Sequence, residues 1–376
     1  MKKIIFFFIC CFFDSVNAQT LYFHPIIEYQ LGAKKTNQLK QCINGFYQNE
    51  KNIHCRNKYW DNTDYRNLIH PANYLENLSK YRDNKKFFKP SVIAVSEVVK
   101  NTEYLIQVAY IGRIDTNEHV VSSIVYIGAT YNHDSVFRLT NPTRLLTLDW
   151  KIIKYRNIKY HIPKGRHLNI SDAKKSDSFN RKISKLLNIP IISFDYYSCK
   201  NREQVYRILG YHFIQDMYLT NNKFGLTNSY SKQIFATNYI EFYAHEICHL
   251  YLNKLIDSTQ ICSSIIEEGA ATFFGGSVGY SIEHHLKNLS IYISNHRNFS
   301  FENLLKRGEV MINNETNLSK ALGGLMVKIV WERKGLSGLK KLLSTQEEEI
   351  IEQFGYIINV KCPDSYLIDQ ALKYRK

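Results

Sequence analysis

The residues most able to do chemistry lie in one stretch, Tyr243-Ala244-His245-Glu246-Ile247-Cys248-His249-Leu250. It contains a His-Glu-x-x-His pattern. On an α-helix, residues four apart stand on one face, one turn above the other. His245 and His249 can therefore offer two imidazole nitrogens to one metal ion, and Glu246 sits beside them, within reach of a water at that ion. A zinc ion in such a site lowers the pKa of the water, and the carboxylate takes the proton. Two histidines leave a metal short of a third protein ligand. Downstream runs Ser264-Ile265-Ile266-Glu267-Glu268-Gly269-Ala270-Ala271-Thr272, with eighteen residues between His249 and Glu268. Either glutamate can supply the ligand. Ser264-x-x-Glu267 reads as a capping box, which assigns Glu267 to its own helix start and favours Glu268 at the metal.

These two motifs resemble those of the gluzincin zinc metallopeptidases, in the peptidase MA-like group. There a Glu-Gly-x-Ala helix follows the His-Glu-x-x-His helix. The resemblance covers about 175 to 345. It implies one zinc per chain on His245, His249 and Glu268, Glu246 as general base, and a peptide or protein as substrate. It also implies a small sheet before the zinc helix, its edge strand (here Gly225 to Tyr230) pairing with an extended substrate. Gluzincins add a Tyr or His to stabilise the oxyanion. Where that Tyr would fall, this chain has Leu318-Ser319-Lys320-Ala321-Leu322-Gly323-Gly324, leaving Tyr211, Tyr230 and Tyr280 as candidates. Some members carry an Asp one turn after the ligand Glu, where this chain has Thr272. The family's amine-binding Gly-Ala-Met-Glu-Asn segment is absent upstream of His245, so an aminopeptidase is not indicated. Two other readings stand beside the peptidase: a non-catalytic zinc-containing binding or scaffold protein of the cell envelope, and a zinc hydrolase of a non-peptide substrate.

The elements that must position these residues follow from pattern. Asn238-Tyr239-Ile240-Glu241 reads as a capping box opening the zinc helix, which is apolar on most sides and so predicted to be buried. Phe224–Asn228 and Gln233–Ala236 are expected strands just before it. Further upstream, Ser178–Leu187 and Arg202–Leu209 read as helices and Ile189–Tyr197 as a strand. Ile282–Ser294, Phe301–Lys306, Ser319–Lys334 and Leu336–Leu343 are expected helices, with Gly335 as a stop.

The 376 residues exceed one typical core. The predicted fold is α+β: an N-terminal antiparallel-sheet domain, then a gluzincin-like domain of small sheet, zinc helices and helical C-terminal half. Residues 19–164 form the first. Helices are expected at Asn37–Gln48 and Pro71–Tyr81, then strands at Ser91–Val99, Glu103–Gly112, Val120–Tyr131, Asp149–Tyr155 and Lys159–Ile162. That arrangement is similar to the cone-shaped nuclear-transport-factor-like folds. A linker is expected at 165–177, and the peptidase-like domain at 178–376.

Met1-Lys2-Lys3, the apolar run Ile4–Phe13 and Val16-Asn17-Ala18 read as a signal peptide of residues 1–18, cleaved after Ala18. The expected location is secreted or periplasmic, with no transmembrane segment. Cleavage removes Lys2, Lys3 and Asp14 and lowers the formal charge from +15 to +14. Lys and Arg are scattered, so the basic balance reads as a solvated surface with no specific nucleic-acid module. Six cysteines remain after cleavage. Cys42 with Cys55 is a candidate pair, and Cys248 reads as a buried thiol or a partner for Cys262.

Overall fold

The computed structural model describes residues 21–48, 57–66, 88–113, 118–218, 224–256, 263–296, 299–301 and 310–375. The expected signal peptide lies outside these residues, as do the helices expected at Pro71–Tyr81 and over most of Phe301–Lys306. Among the described residues no helix is long and apolar enough to cross a membrane. The architecture is α+β, in two compact units, one ending at Pro142 and the other beginning at Thr143.

In the first unit the strands are β1 (Tyr22–Phe23), β2 (Lys89–Val99), β3 (Glu103–Arg113), β4 (His119–Tyr131) and β5 (Phe137–Thr140). They lie side by side in chain order, with β1 parallel to β2 and the remaining pairs antiparallel. Alternation sets the faces: Ser123, Val125, Ile127 and Ala129 of β4 point inward and the residues between Ser123 and Ile127 are only half-buried. The helix Ala33–Gln48 buries Leu39, Ile43 and Phe46, and Trp60 stacks on Phe46 at 5.6 Å.

The second unit holds the chemistry. Its sheet runs β10-β11-β8-β7-β6, built from β6 (Lys151–Tyr155), β7 (Ile158–Ile162), β8 (Phe194–Ser198), β10 (Gly225–Asn228) and β11 (Gln233–Ala236); β9 (Tyr211–Phe213) lies between β8 and β10 in the chain. β6–β7 and β10–β11 are antiparallel, while β8 runs parallel to both β7 and β11.

This corrects two expectations. The hairpin at 151–162 belongs to the second sheet, because β7 pairs with β8 and sets Tyr160 opposite Tyr196, both fully buried. The boundary thus falls at 142/143, before the hairpin. The expected linker 165–177 largely forms the start of the helix Ile170–Leu187, where the Asn169 side chain accepts from the Asp172 N–H. Its polar composition is that of an amphipathic helix burying Ala173, Ser176, Asn180, Ile183 and Leu187.

Three helices frame the site: the motif helix Ala244–Leu255, the glutamate helix Ser264–Gly275 and the long helix Leu318–Leu343. The long helix breaks at Gly335 (φ 59°, ψ −148°), as its sequence predicts. The motif helix is buried from His245 through Leu252. Its expected capping box does not form. Asn238 and Tyr239 adopt left-handed φ values of 60° and 54°, and the Glu241 carboxylate accepts from the Ser198 hydroxyl at 2.9 Å. The helix starts instead after Tyr243, with no side-chain cap.

The glutamate and long helices approach backbone to backbone. A Cβ on Gly269 would lie 2.2 Å from the Gly323 carbonyl carbon, and one on Gly323 would lie 2.1 Å from the Ile265 oxygen. Only glycine allows that contact. Gly323→Ala will therefore force the helices apart and lower unfolding stability by about 2 kcal/mol, the usual cost of overpacking. A urea midpoint unchanged from wild type would refute the close contact.

Candidate metal centre

The motif helix and the glutamate helix bring His245, His249 and Glu268 into one group, with their candidate ligand atoms all within 4.8 Å of one another. His245 Nε2 lies 3.1 Å from Glu268 Oε2 and 3.3 Å from His249 Nε2. His249 Nε2 lies 3.6 Å from Glu268 Oε1. Tetrahedral ligands at about 2.0–2.1 Å from a zinc ion stand about 3.3 Å apart, so this spacing suits such an ion.

The outer nitrogens show what the inner ones present. His245 Nδ1 lies 2.8 Å from the Gly276 carbonyl, which can only accept, so Nδ1 carries the proton. His249 Nδ1 donates to Glu267 Oε1 at 2.9 Å. In their neutral forms, both histidines then turn bare Nε2 lone pairs toward each other and toward a carboxylate. Three acceptors converging in a buried place require a cation or a proton. The histidine side chains are only 4% and 10% exposed, so solvent does little to fill that need.

Glu267 is thus corrected from its expected role. The cap of the glutamate helix is Ser263, whose hydroxyl accepts from the Ile265 N–H at 3.2 Å. Glu267 instead orients His249 and also accepts from Asn253 Nδ2 at 2.9 Å. Thr272 takes no part: its hydroxyl bonds back to the Glu268 carbonyl at 2.8 Å. The outer support comes from Glu267 and the Gly276 carbonyl, neither of which the motif spacing alone points to. Gly275 makes the second of these possible. A Cβ there would meet the His245 backbone nitrogen at 2.6 Å and the Ala244 carbonyl carbon at 2.7 Å, so glycine lets the end of the glutamate helix close against the start of the motif helix.

The charges match this wiring. Burial alone would raise the Glu268 carboxyl, but the His245 hydrogen bond and the nearby His249 and Lys320 charges hold it well below the usual carboxylate range. Burial would push the His249 imidazole down. The Glu267 hydrogen bond and the Glu268 and Glu246 carboxylates overcome it and lift His249 to about 9. In the metal-free chain a proton therefore stands where a metal would otherwise sit.

Glu246 is 5% exposed and faces the sheet edge. The Thr227 hydroxyl lies 2.8 Å from its Oε2 and 2.9 Å from its backbone oxygen. A Cβ on Gly225 would meet Glu246 Oε1 at 2.6 Å and Tyr243 Cε1 at 2.5 Å. β10 is an edge strand of the described sheet, at the position read from the sequence, and it passes directly over Glu246.

Of the tyrosines singled out by sequence, Tyr230 is exposed in the turn after β10 and Tyr211 is buried against Tyr206. The Tyr280 hydroxyl donates to Glu315 at 2.7 Å. Tyr243, not singled out, stands beside the cluster. Its ring centroid is 6.2 Å from that of His245, and burial followed by the Glu246 and Glu268 charges keeps its phenol protonated. Its place two residues before His245 was its only sequence signal.

Among the described residues Cys42, Cys199, Cys248 and Cys362 are free thiols, the first three buried. Cys248 lies fully inside the core, with burial pushing its thiol up, so it is no ligand of this centre. Cys55 and Cys262 lie outside the described residues. The chain matches no known protein family, no curated protein and no solved structure.

Proposed function

We propose that this chain is an exported, gluzincin-like zinc metallopeptidase that hydrolyses peptide bonds at the His245–His249–Glu268 centre. The observation that carries the reading is the convergence of two imidazole nitrogens, each ring held from behind, and a carboxylate in one largely buried group next to an acidic side chain. Zinc suits the donor set of two nitrogens and one oxygen, and three protein ligands leave a coordination position open, as in catalytic rather than structural sites. When bound, the ion supplies Lewis acidity, which lowers the pKa of a water and polarises a carbonyl.

The chain's own residues supply the rest. Glu246 accepts a proton from the attacking water on its carboxylate while the new carbon–oxygen bond forms. It then delivers that proton to the amide nitrogen as the carbon–nitrogen bond breaks, so the products are a carboxylic acid and an amine. Thr227 holds the Glu246 carboxylate in place. β10 offers its unpaired edge to an extended peptide, which binds through its backbone with little demand on sequence. Gly225 lets the backbone of β10 itself run close to Glu246 and Tyr243. Export follows from the basic start, apolar core and small-residue cleavage site of residues 1–18.

The test is zinc content and peptide hydrolysis on one preparation of the mature protein. The expected result is about one zinc per chain and chelator-sensitive cleavage of a mixed peptide library, with new free amines in the products. Tightly held zinc without any cleavage would favour a binding or scaffold protein instead.

A further inference from the structure

Glu268 has a further neighbour that the mechanism above leaves unused. Lys320 Nζ lies 2.7 Å from Glu268 Oε2. Its position is built into the fold. Lys320 stands in the first turn of the long helix, where the Asn317 side chain accepts from its backbone N–H at 3.1 Å. One turn on, Gly323 meets Gly269 backbone to backbone. Glu268 directly precedes Gly269, so this contact locks Lys320 in register with Glu268. The pair also lies on the open side of the cluster. The side chains of Lys320 and Glu268 are 32% and 35% exposed, against 4% for His245 and 10% for His249.

Other polar groups nearby are engaged. The Tyr280 hydroxyl donates to Glu315, and the Tyr243 phenol oxygen accepts from the Val278 N–H. His285 is held between Thr316 Oγ1 at 3.0 Å and the Ser277 carbonyl at 3.2 Å. Lys320 is different. An ammonium has three N–H donors, and Glu268 takes one. Once a cation shares the Glu268 charge, the ammonium has donors to spare at the mouth of the site.

We propose that Lys320 is a catalytic residue of this centre. Its ammonium stabilises the negative charge that builds on the substrate's carbonyl oxygen during hydrolysis. This rests on the metallopeptidase reading and goes beyond it. It names the group that fills the role for which the long helix carries no tyrosine. Preorganised donors aimed at developing charge are among the strongest contributors to catalysis.

The test compares wild type, Lys320→Met, Lys320→Arg and Tyr243→Phe, each loaded with cobalt(II), whose visible spectrum reports ligands entering the site. Two probes are titrated: an N-phosphoryl-leucyl dipeptide, whose tetrahedral anionic oxygens imitate the oxyanion, and imidazole, a neutral metal ligand. Lys320→Met is expected to hold one metal per chain and bind imidazole within threefold of wild type. It should lose at least tenfold in affinity for the phosphoryl dipeptide, with most of that loss recovered in Lys320→Arg and none seen in Tyr243→Phe. Equal weakening of both probes, no weakening of either, or the loss appearing in Tyr243→Phe instead would overturn the assignment. So would a wild type that binds imidazole but not the phosphoryl dipeptide. A wild type that holds no metal fails before any probe is added, which separates failure of the metal centre from failure of Lys320.

Discussion

Replacing Glu268 by Ala will abolish tight zinc binding, as will replacing His245 or His249, whereas Glu267→Ala will keep one zinc per chain at lower affinity. The first three changes remove one of the three atoms that converge. The fourth removes only the carboxylate behind His249, 2.9 Å from Nδ1. Loss of such an outer partner typically weakens a metal site about 10–100-fold without emptying it. The measurement is zinc affinity by competition with a chromophoric chelator. Zinc retained in Glu268→Ala and lost in Glu267→Ala would mean that the two glutamates have been assigned in reverse. The same titration carries a pH signature. His249 is lifted to about 9 in the metal-free chain, so below that pH an entering ion must displace its proton. Apparent affinity should fall about tenfold for each unit of pH below about 9 and level off above it. A flat profile between pH 6 and 8 would show that His249 does not compete with a proton for the metal.

The site was more legible in the sequence than the fold that holds it. His245, Glu246 and His249 follow from helical spacing alone, which needs no knowledge of tertiary structure. Glu268 required a choice between neighbours. The capping-box argument pointed to Glu268, which does join the cluster, for a reason the structure does not support, since Ser263 caps the helix and Glu267 turns to His249. A capping box and an outer-shell glutamate look alike in sequence because both put an acid in the first turn of a helix. The hairpin at 151–162 shows another limit. Its alternation marked the strands correctly, but alternation does not reveal a partner, and the parallel pairing with β8 joins residues more than thirty positions apart. Gly323 and Gly324 read as an absence, the place without a tyrosine. The close approach of two helices makes that small-residue pair a requirement and fixes Lys320 over Glu268. Contacts of this kind depend on backbone separation, which composition does not encode.

Glu246→Gln will retain zinc and lower peptide hydrolysis by about 10²–10⁴-fold, the usual range for loss of a positioned general base. Glutamine has the same shape, and its amide oxygen can still accept from the Thr227 hydroxyl that now lies 2.8 Å from Oε2. The tight fit beneath Gly225 should also survive, since a Cβ there would already come within 2.6 Å of Oε1. What is lost is the ability to take a proton from water and return it to the leaving amine. The metal should stay, because Glu246 is not among the three converging ligands. Its negative charge helps to raise His249, so the variant meets less proton competition while losing one anion near the ion, and its zinc content should stay near that of wild type. Zinc content thus holds while the cleavage rate falls, which a misfolded variant cannot imitate. Hydrolysis at the wild-type rate with zinc in place would remove Glu246 from the mechanism, and loss of both together would make it part of the metal's support.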